Sequence, residues 1–208
     1  MHMNQNQAPT KANLIKAKSL LGFSAKGFDL LDKKRNVLIR EMMGLLDRAA
    51  SIQKEIKDIY EEAYEALRFA NVTLGVNAVE EIAISIPNSE DYQVLLTSVM
   101  GVEIPEVRYK KDPFQVSYGF FRTNAALDTA VRKFRQVRFL TYELAEVETK
   151  VYKLAMEIRK TQKRANALEK IQIPKYQALV KKIEETLEEK EREDFFRLKR
   201  VKSKSNKD

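Results

Sequence analysis

The sequence predicts a mainly α fold: a long antiparallel two-helix coiled coil with a small β-hairpin-containing body at the bend. Three observations predict it. Among 208 residues there are only five prolines, and the tracts between Pro9 and Pro87 and between Pro113 and Pro174 contain none. Proline costs about 3 kcal/mol inside a helix, so such tracts permit long helices. Both tracts repeat apolar residues at alternating three- and four-residue steps, the 3.5-residue period of a coiled-coil seam. Charge then sets the middle apart: residues 1–74 hold 12 basic and 9 acidic side chains, residues 75–121 hold 3 and 7, and residues 122–208 hold 23 and 14. The expected division is a coiled-coil helix over 10–74, a small acidic body over 75–121, and a second coiled-coil helix with a basic tail over 122–202.

The first helix begins after Pro9, with Thr10 placed to cap it. From Leu14 to Ala70 the seam takes seventeen positions, of which all but Ser24 and Arg35 are apolar. Those two read either as register-setting or snorkelling residues, or as a seam that opens to another subunit. Asp29 and Lys33 form an i,i+4 pair on the outer face. A helix over 10–74 would be roughly 98 Å long, a rod that no compact domain of this size holds internally.

In the middle body, Ile82, Ile84 and Ile86 alternate at period two, as do Phe114, Val116, Tyr118 and Phe120. Val102, Ile104, Val107 and Tyr109 do so in part, with Pro105 suggesting an edge strand. The expected turn joining the last two runs is Lys110-Lys111-Asp112-Pro113, and residues 92–100 read as either helix or strand. An apolar and acidic body of this kind suits a docking knob.

The last tract carries a seam from Leu127 to Leu168, with a three-residue step from Val137 to Leu140 that reads as a stammer. Glu146–Lys150, Glu188–Arg192 and Glu193–Arg197 are i,i+4 pairs in the favourable orientation. Pro174 predicts a kink or brief break near Ile173, with helix renewed through Leu179, Ile183 and Leu187. Two tracts of similar length joined by a short body fold back on each other, because a parallel pair would stretch that body along the whole rod. The second helix then outruns the first and ends in a stretch with six basic residues from Arg197 onward.

Composition excludes much chemistry. Without cysteine there is no disulfide framework, no Cys-based zinc site and no thiol nucleophile. The single histidine, His2, sits in a polar leader. No apolar run approaches the ~20 residues needed to cross a bilayer. There is no P-loop and no GxGxxG. Pairs such as Glu61–Glu62 and Glu80–Glu81 belong on solvated helix faces. The expectation is a soluble intracellular protein with no catalytic site, cofactor or metal of its own. The basic tail invites a nucleic-acid reading but lacks a reader motif, and a solvated or protein-contacting terminus accounts for it better.

Five blocks resemble the D subunit of V-type (archaeal/vacuolar-type) ATPases and ATP synthases. Pro9-Thr10-Lys11 followed by Leu14 is similar to that family's opening. AKGFDLLDKKR, from Ala25 to Arg35, is similar to its Gly-x-x-Leu-Leu-Lys-x-Lys-Arg stretch, with Asp32 where a lysine is usual. SVMGVEIP (Ser98 to Pro105), KRANALEKIQIP (Lys163 to Pro174) and EREDFFRLKRVK (Glu191 to Lys202) resemble its mid-chain, second-helix and C-terminal segments, Lys163 standing for an arginine. The resemblance implies a central-stalk rotor shaft with its termini inside a ring of A and B subunits. It implies the small F subunit as a partner at the body-side end, and a C-type (d) subunit that seats on the membrane rotor ring. ATP chemistry belongs to the A subunits, and the shaft couples it to H⁺ or Na⁺ movement from the cytoplasmic side, peripheral to the membrane. The family-matching positions for shaft and partner contacts are Gly27, Leu31, Lys34, Arg35, Lys163, Arg164, Asn166, Phe195, Phe196 and Arg197. A free-standing coiled-coil tether or chaperone-like hairpin, and a basic nucleic-acid-binding hairpin, are the alternatives; five blocks in one order weigh against both.

Overall fold

A computed structural model describes residues 8–86, 92–110 and 116–205 of the chain. The first helix, α1, is Lys11–Leu74, followed by α2, Val76–Ser85. Strands β1 (Tyr92–Val99) and β2 (Val102–Tyr109) form an antiparallel hairpin. A 3₁₀ turn, Phe120–Arg122, leads to α3, Ala125–Ala167. A π-helical segment, Leu168–Gln172, joins α3 to α4, Ile173–Ser205. Two compact units divide these elements: residues 1–36 with 159–208, and residues 37–158.

Local chemistry sets the boundaries. Thr10 Oγ1 accepts the Asn13 backbone N–H at 3.2 Å, satisfying one of the orphan donors of the first turn of α1. Gly75 ends α1 and starts α2 at φ 86°, a backbone conformation that side chains with a Cβ rarely adopt. Asn124 caps α3, its Oδ1 accepting the Leu127 N–H at 2.9 Å, and Asp128 complements the helix dipole in the first turn.

All seventeen seam positions of α1 are buried or half-buried. In the unit of residues 1–36 and 159–208, Ala17 packs with Tyr176, Leu179 and Ile183. The ion pairs Lys11–Glu191 and Lys18–Glu184, at 2.9 and 2.6 Å, run in opposite chain directions, so the helices there are antiparallel. In the unit of residues 37–158, one cluster holds Ala49, Ile52 and Val147, and another holds Ala70, Val79, Tyr118 and Leu127. Gln53 bonds Glu148 and Glu62 pairs with Lys133, again antiparallel. The expected pairs Glu146–Lys150, Glu188–Arg192 and Glu193–Arg197 form at 2.5, 3.8 and 3.7 Å.

The middle of the chain departs from the expectation in two places. Residues 82–86 are not a strand: they close α2 and run just past its end. Val79, Ile82 and Ile86, at three- and four-residue steps, face the core, while Ile84 is 85% exposed. Five residues of alternation were too few to separate the two periods. Val116 to Phe120 likewise form no strand. Val116 and Tyr118 pack into the second cluster, and the chain then tightens into the 3₁₀ turn. The partner of Val102–Tyr109 is instead Tyr92–Val99, the stretch that read both ways. Its turn is Met100-Gly101, at φ 52° and 77°. Positive φ at both central residues is the turn whose twist suits a two-residue hairpin. His2, Pro87 and the turn expected at residues 111–113 lie outside the described residues, as does Phe114.

Pro174 does not break the helix. Lacking an N–H, and clashing with the carbonyl four residues back, proline forbids the regular ladder at this point. The chain answers by widening: the Ile173 N–H donates to the Leu168 carbonyl five residues earlier, and helix resumes at once.

Candidate functional site

All ten family-matching positions fall in the unit of residues 1–36 and 159–208. Arg35 stands on the α1 seam, half-buried, where the period calls for an apolar side chain. A guanidinium in that place needs acceptors, because an unpaired charge out of water is costly. Its Nη1 donates to Gln162 Oε1 at 2.6 Å, and its Nη2 pairs with Asp32 Oδ1 at 2.5 Å. Gln162 Nε2 in turn donates to Asn166 Oδ1 at 2.7 Å, and Asn36 Nδ2 donates to Asp32 Oδ2 at 3.1 Å. A five-residue polar network thus ties one turn of α1 to one turn of α3. Its directed bonds fix which residues face each other, something interchangeable apolar contacts do less sharply.

Ser24, the other polar seam residue, is 7% exposed and donates its hydroxyl to the Leu20 carbonyl of its own helix. It satisfies itself locally and leaves the seam closed. Gly27 faces the Leu168 side chain, which would lie 3.5 Å from a Cβ there, and Leu31 is half-buried nearby on the same helix. Lys34 is half-buried and engaged. Lys163 and Arg164 are exposed on the outward side of α3. Phe195, Phe196 and Arg197 lie apart from the α1 and α3 positions. They lie on α4 in a run where every residue from Glu188 to Ser203 is exposed. The two rings meet edge-on at 6.4 Å, and Arg197 reaches Glu193 and Asp194 on its own helix.

Sequence reasoning missed Asp32 and Gln162 as the groups that satisfy Arg35. The signal was present in Asp32, a carboxylate one turn before a seam arginine. It also missed how the hairpin is held. The Val107 N–H donates to Glu146 Oε2 at 2.7 Å, and the Tyr109 hydroxyl donates to Glu143 Oε1 at 2.6 Å. Glu146 also takes the Lys150 ammonium through its other oxygen. Tyr109 stacks on Phe139 and Tyr92 leans on Tyr142, with centroids 5.2 Å apart in each pair. Burial first, then the bond to Glu143, pushes the Tyr109 phenol up to about 12. Burial and the bond to Asp128 at 2.7 Å push the Tyr118 phenol up as well. Because the Val107 N–H points at α3, it is β2 that meets the helix edge-on, and Pro105 loses no ladder bond there.

These arrangements hold and position the elements they join. Among the described residues no group of His, Cys, Asp or Glu is placed to hold a metal ion, and no helix is long and apolar enough to cross a membrane.

Comparison with known proteins gives one consistent result. A family model described as the ATP synthase D subunit matches residues 13–203. The V-type ATP synthase D subunit of Thermotoga neapolitana is 46% identical over 197 residues, covering 95% of this chain and 97% of that protein. The A-type ATP synthase D subunit of Pyrococcus furiosus is 40% identical over 198 residues, covering 94% and 92%. That of Thermococcus kodakarensis is 37% identical over 201 residues, covering 95% and 94%.

Proposed function

The chain belongs to the family of ATP synthase D subunits, and from that premise we propose that it is the central rotor shaft of a rotary V-type ATPase or ATP synthase. It contributes no catalytic site. It couples ATP hydrolysis or synthesis on a ring of A and B subunits to proton or sodium movement through the membrane rotor ring. The observation that carries the reading is the uninterrupted 64-residue helix α1, with every seam position from Leu14 to Ala70 at least half-buried. Torque transmission needs lateral stiffness, and a continuous packed seam supplies it.

The three-part division into residues 10–74, 75–121 and 122–202 then has a functional sense. The two helical parts form the shaft, and the acidic middle seats the partners at its foot: the F subunit and the C-type subunit that leads to the membrane ring. Gly27, Leu31, Lys34, Arg35, Lys163, Arg164 and Asn166 lie in the part enclosed by the A–B ring, and Phe195, Phe196 and Arg197 near its tip. The protein works on the cytoplasmic side, peripheral to the membrane.

The test is co-expression with the cognate A, B and F subunits, followed by gel filtration and an ATPase assay. Co-elution with the F subunit and a changed turnover of the A–B complex are expected. A chain that does neither is not a rotor shaft.

A further inference from the structure

The seam of α3 and α4 alternates three- and four-residue steps through Leu154, Ile158, Thr161, Ala165 and Leu168. It then takes two four-residue steps, to the half-buried Gln172 and the buried Tyr176, before the alternation resumes at Leu179 and Ile183. Two such steps in succession hold one residue more than the 3.5-residue period. The π-helical segment absorbs that residue, and Pro174 beside it removes one N–H from the ladder. Register thus accounts for the widening in this helix.

Register does not account for what α1 carries at the same level. Gly27 faces Leu168, and Gly22 and Ser24 stand within a turn and a half of it. A methyl group at Gly22 would meet nothing within 4 Å, and one at Gly27 would meet only the Leu168 side chain at 3.5 Å, an ordinary contact. Neither glycine has a positive φ, so alanine fits both places and would hold the helix better. The Ser24 hydroxyl bonds back to the Leu20 carbonyl at 2.8 Å, an arrangement that bends helices. Proline, glycine with serine, and π segments are the usual causes of sharp helix bends, and all three sit here on facing stretches. The third glycine inside α1, Gly44, has no such counterpart, since α3 is regular up to Ala167. On one side of this level lies the Arg35 network. On the other, Ala17 packs with Tyr176, Leu179 and Ile183, and Lys18 pairs with Glu184. Between the two, no side chain from Ala167 to Lys175 is buried.

We propose that this level is a hinge built across both helices, about which residues 11–21 and 176–205 tilt against residues 28–36 and 159–167. The π turn gives its carbonyls a choice of partners four or five residues on, and the two glycines give α1 backbone freedom at the same height. A bend in one helix of a packed pair must be matched in the other, so a defect on one side alone would be held straight by its neighbour. In the rotor reading, the hinge lets the terminal stretch follow changes of tilt inside its sleeve without loading the seams above and below it. The hinge itself does not depend on that reading.

The test measures distances between paired spin labels on the full chain, which has no cysteine of its own. Labels on Lys160→Cys and Lys182→Cys, both exposed, span the π segment; labels on Gln136→Cys and Met156→Cys, also exposed, span regular α3. On a straight helix the two pairs lie roughly 33 and roughly 30 Å apart. KCl at about 300 mM screens repulsion between like charges. The distance distribution across the π segment should be about twice as broad as that of the control pair. Gly22→Ala combined with Gly27→Ala should bring it close to the control width, although neither position lies on the labelled helix; circular dichroism verifies the fold. A parent distribution as narrow as the control overturns the proposal, because the π segment is then rigid. A broad distribution that the two alanines leave unchanged also overturns it, since the flexibility then belongs to one helix alone. Neither result touches the rotor reading, which co-elution with the F subunit tests separately.

Discussion

Replacing Tyr109 with phenylalanine removes one hydroxyl from the hairpin's dock and leaves the ring stack on Phe139 in place. That hydroxyl donates to Glu143 Oε1 at 2.6 Å. A hydrogen bond to a charged acceptor contributes about 1.5–3 kcal/mol, and a half-buried one belongs at the low end. The raised pKa bounds the same contact from above, because burial contributes more to it than the bond to Glu143 does. Moving the phenol from 10.0 to about 12 is equivalent to about 2.7 kcal/mol in a site closed to water. With solvent at the edge of the ring, about 1 kcal/mol survives screening. The sign follows from linkage: a pKa raised by folding gives stability that is whole below the unfolded pKa and is lost as pH climbs through the folded one. The contribution is therefore complete at neutral pH and disappears between about pH 10 and about pH 12.

The assay is urea unfolding of parent and Tyr109→Phe, followed by circular dichroism in steps from neutral to strongly alkaline pH. The variant should be less stable by about 1 kcal/mol at neutral pH, and the gap should close across the tyrosine window. Lysines titrate in that window too, but they are common to both proteins and cancel in the difference. A gap that is absent at neutral pH, or that persists undiminished above the window, would show that the hydroxyl does not hold the hairpin.

Three further substitutions test the packing. Leu154, 1% exposed, is among the largest fully buried side chains; Leu154→Ala should cost about 3 kcal/mol in urea unfolding, and a loss below about 1 kcal/mol would mean the seam is not packed there. At the hairpin turn no atom crowds Gly101, so Gly101→Ala should cost about 1 kcal/mol through backbone strain alone, and Met100→Gly should recover a similar amount; hydrogen exchange in β1 and β2 reads both, and opposite signs would refute the turn assignment. A double-mutant cycle of Arg35→Ala and Gln162→Ala should give a coupling of about 0.5–1.5 kcal/mol, whereas strict additivity would mean that the network binds nothing across the seam.

The helical parts were legible in the sequence because a 3.5-residue period sustained over many heptads has few competing explanations. The family-matching positions were legible too, as residues, although their grouping was not. Arg35 reads as a break in the seam until Asp32 and Gln162 are seen to satisfy it, and Gln162 lies far away in sequence. The middle was hard for a different reason. Ile82, Ile84 and Ile86 satisfy a strand period over five residues, while Val79, Ile82 and Ile86 satisfy a helix period over eight, and only Val79 and the positive-φ Gly75 decide between them. The hairpin turn carries Met100 where Asn or Asp would have signalled it, so the 92–99 strand had no local marker. Pro174 signals a disturbed helix by its chemistry alone. The form of the disturbance depends on whether the flanking seams can hold the chain in register while one turn widens.

A last prediction concerns a basic band in the isolated chain, residues 16–36 and 159–175, which holds twelve basic side chains against three acidic ones. The fully buried side chains of that stretch, Ala17, Ser24, Thr161 and Ala165, are small, and its larger apolar side chains, Leu20, Leu21, Phe28, Leu31 and Leu168, are only half-buried. Meanwhile the band's excess positive charge opposes close approach of the two helices. Residues 16–36 and 159–175 should therefore open more readily than residues 37–59 and 140–158, where Leu38, Ile52, Val147 and Leu154 fill the seam. Because the opposing term is electrostatic, added salt should relieve it. Hydrogen exchange in the band should slow several-fold between about 50 and about 300 mM KCl, as the screening length shortens, while exchange in the apolar stretch stays nearly constant. Equal salt responses in the two stretches would mean that charge repulsion is not what limits the band.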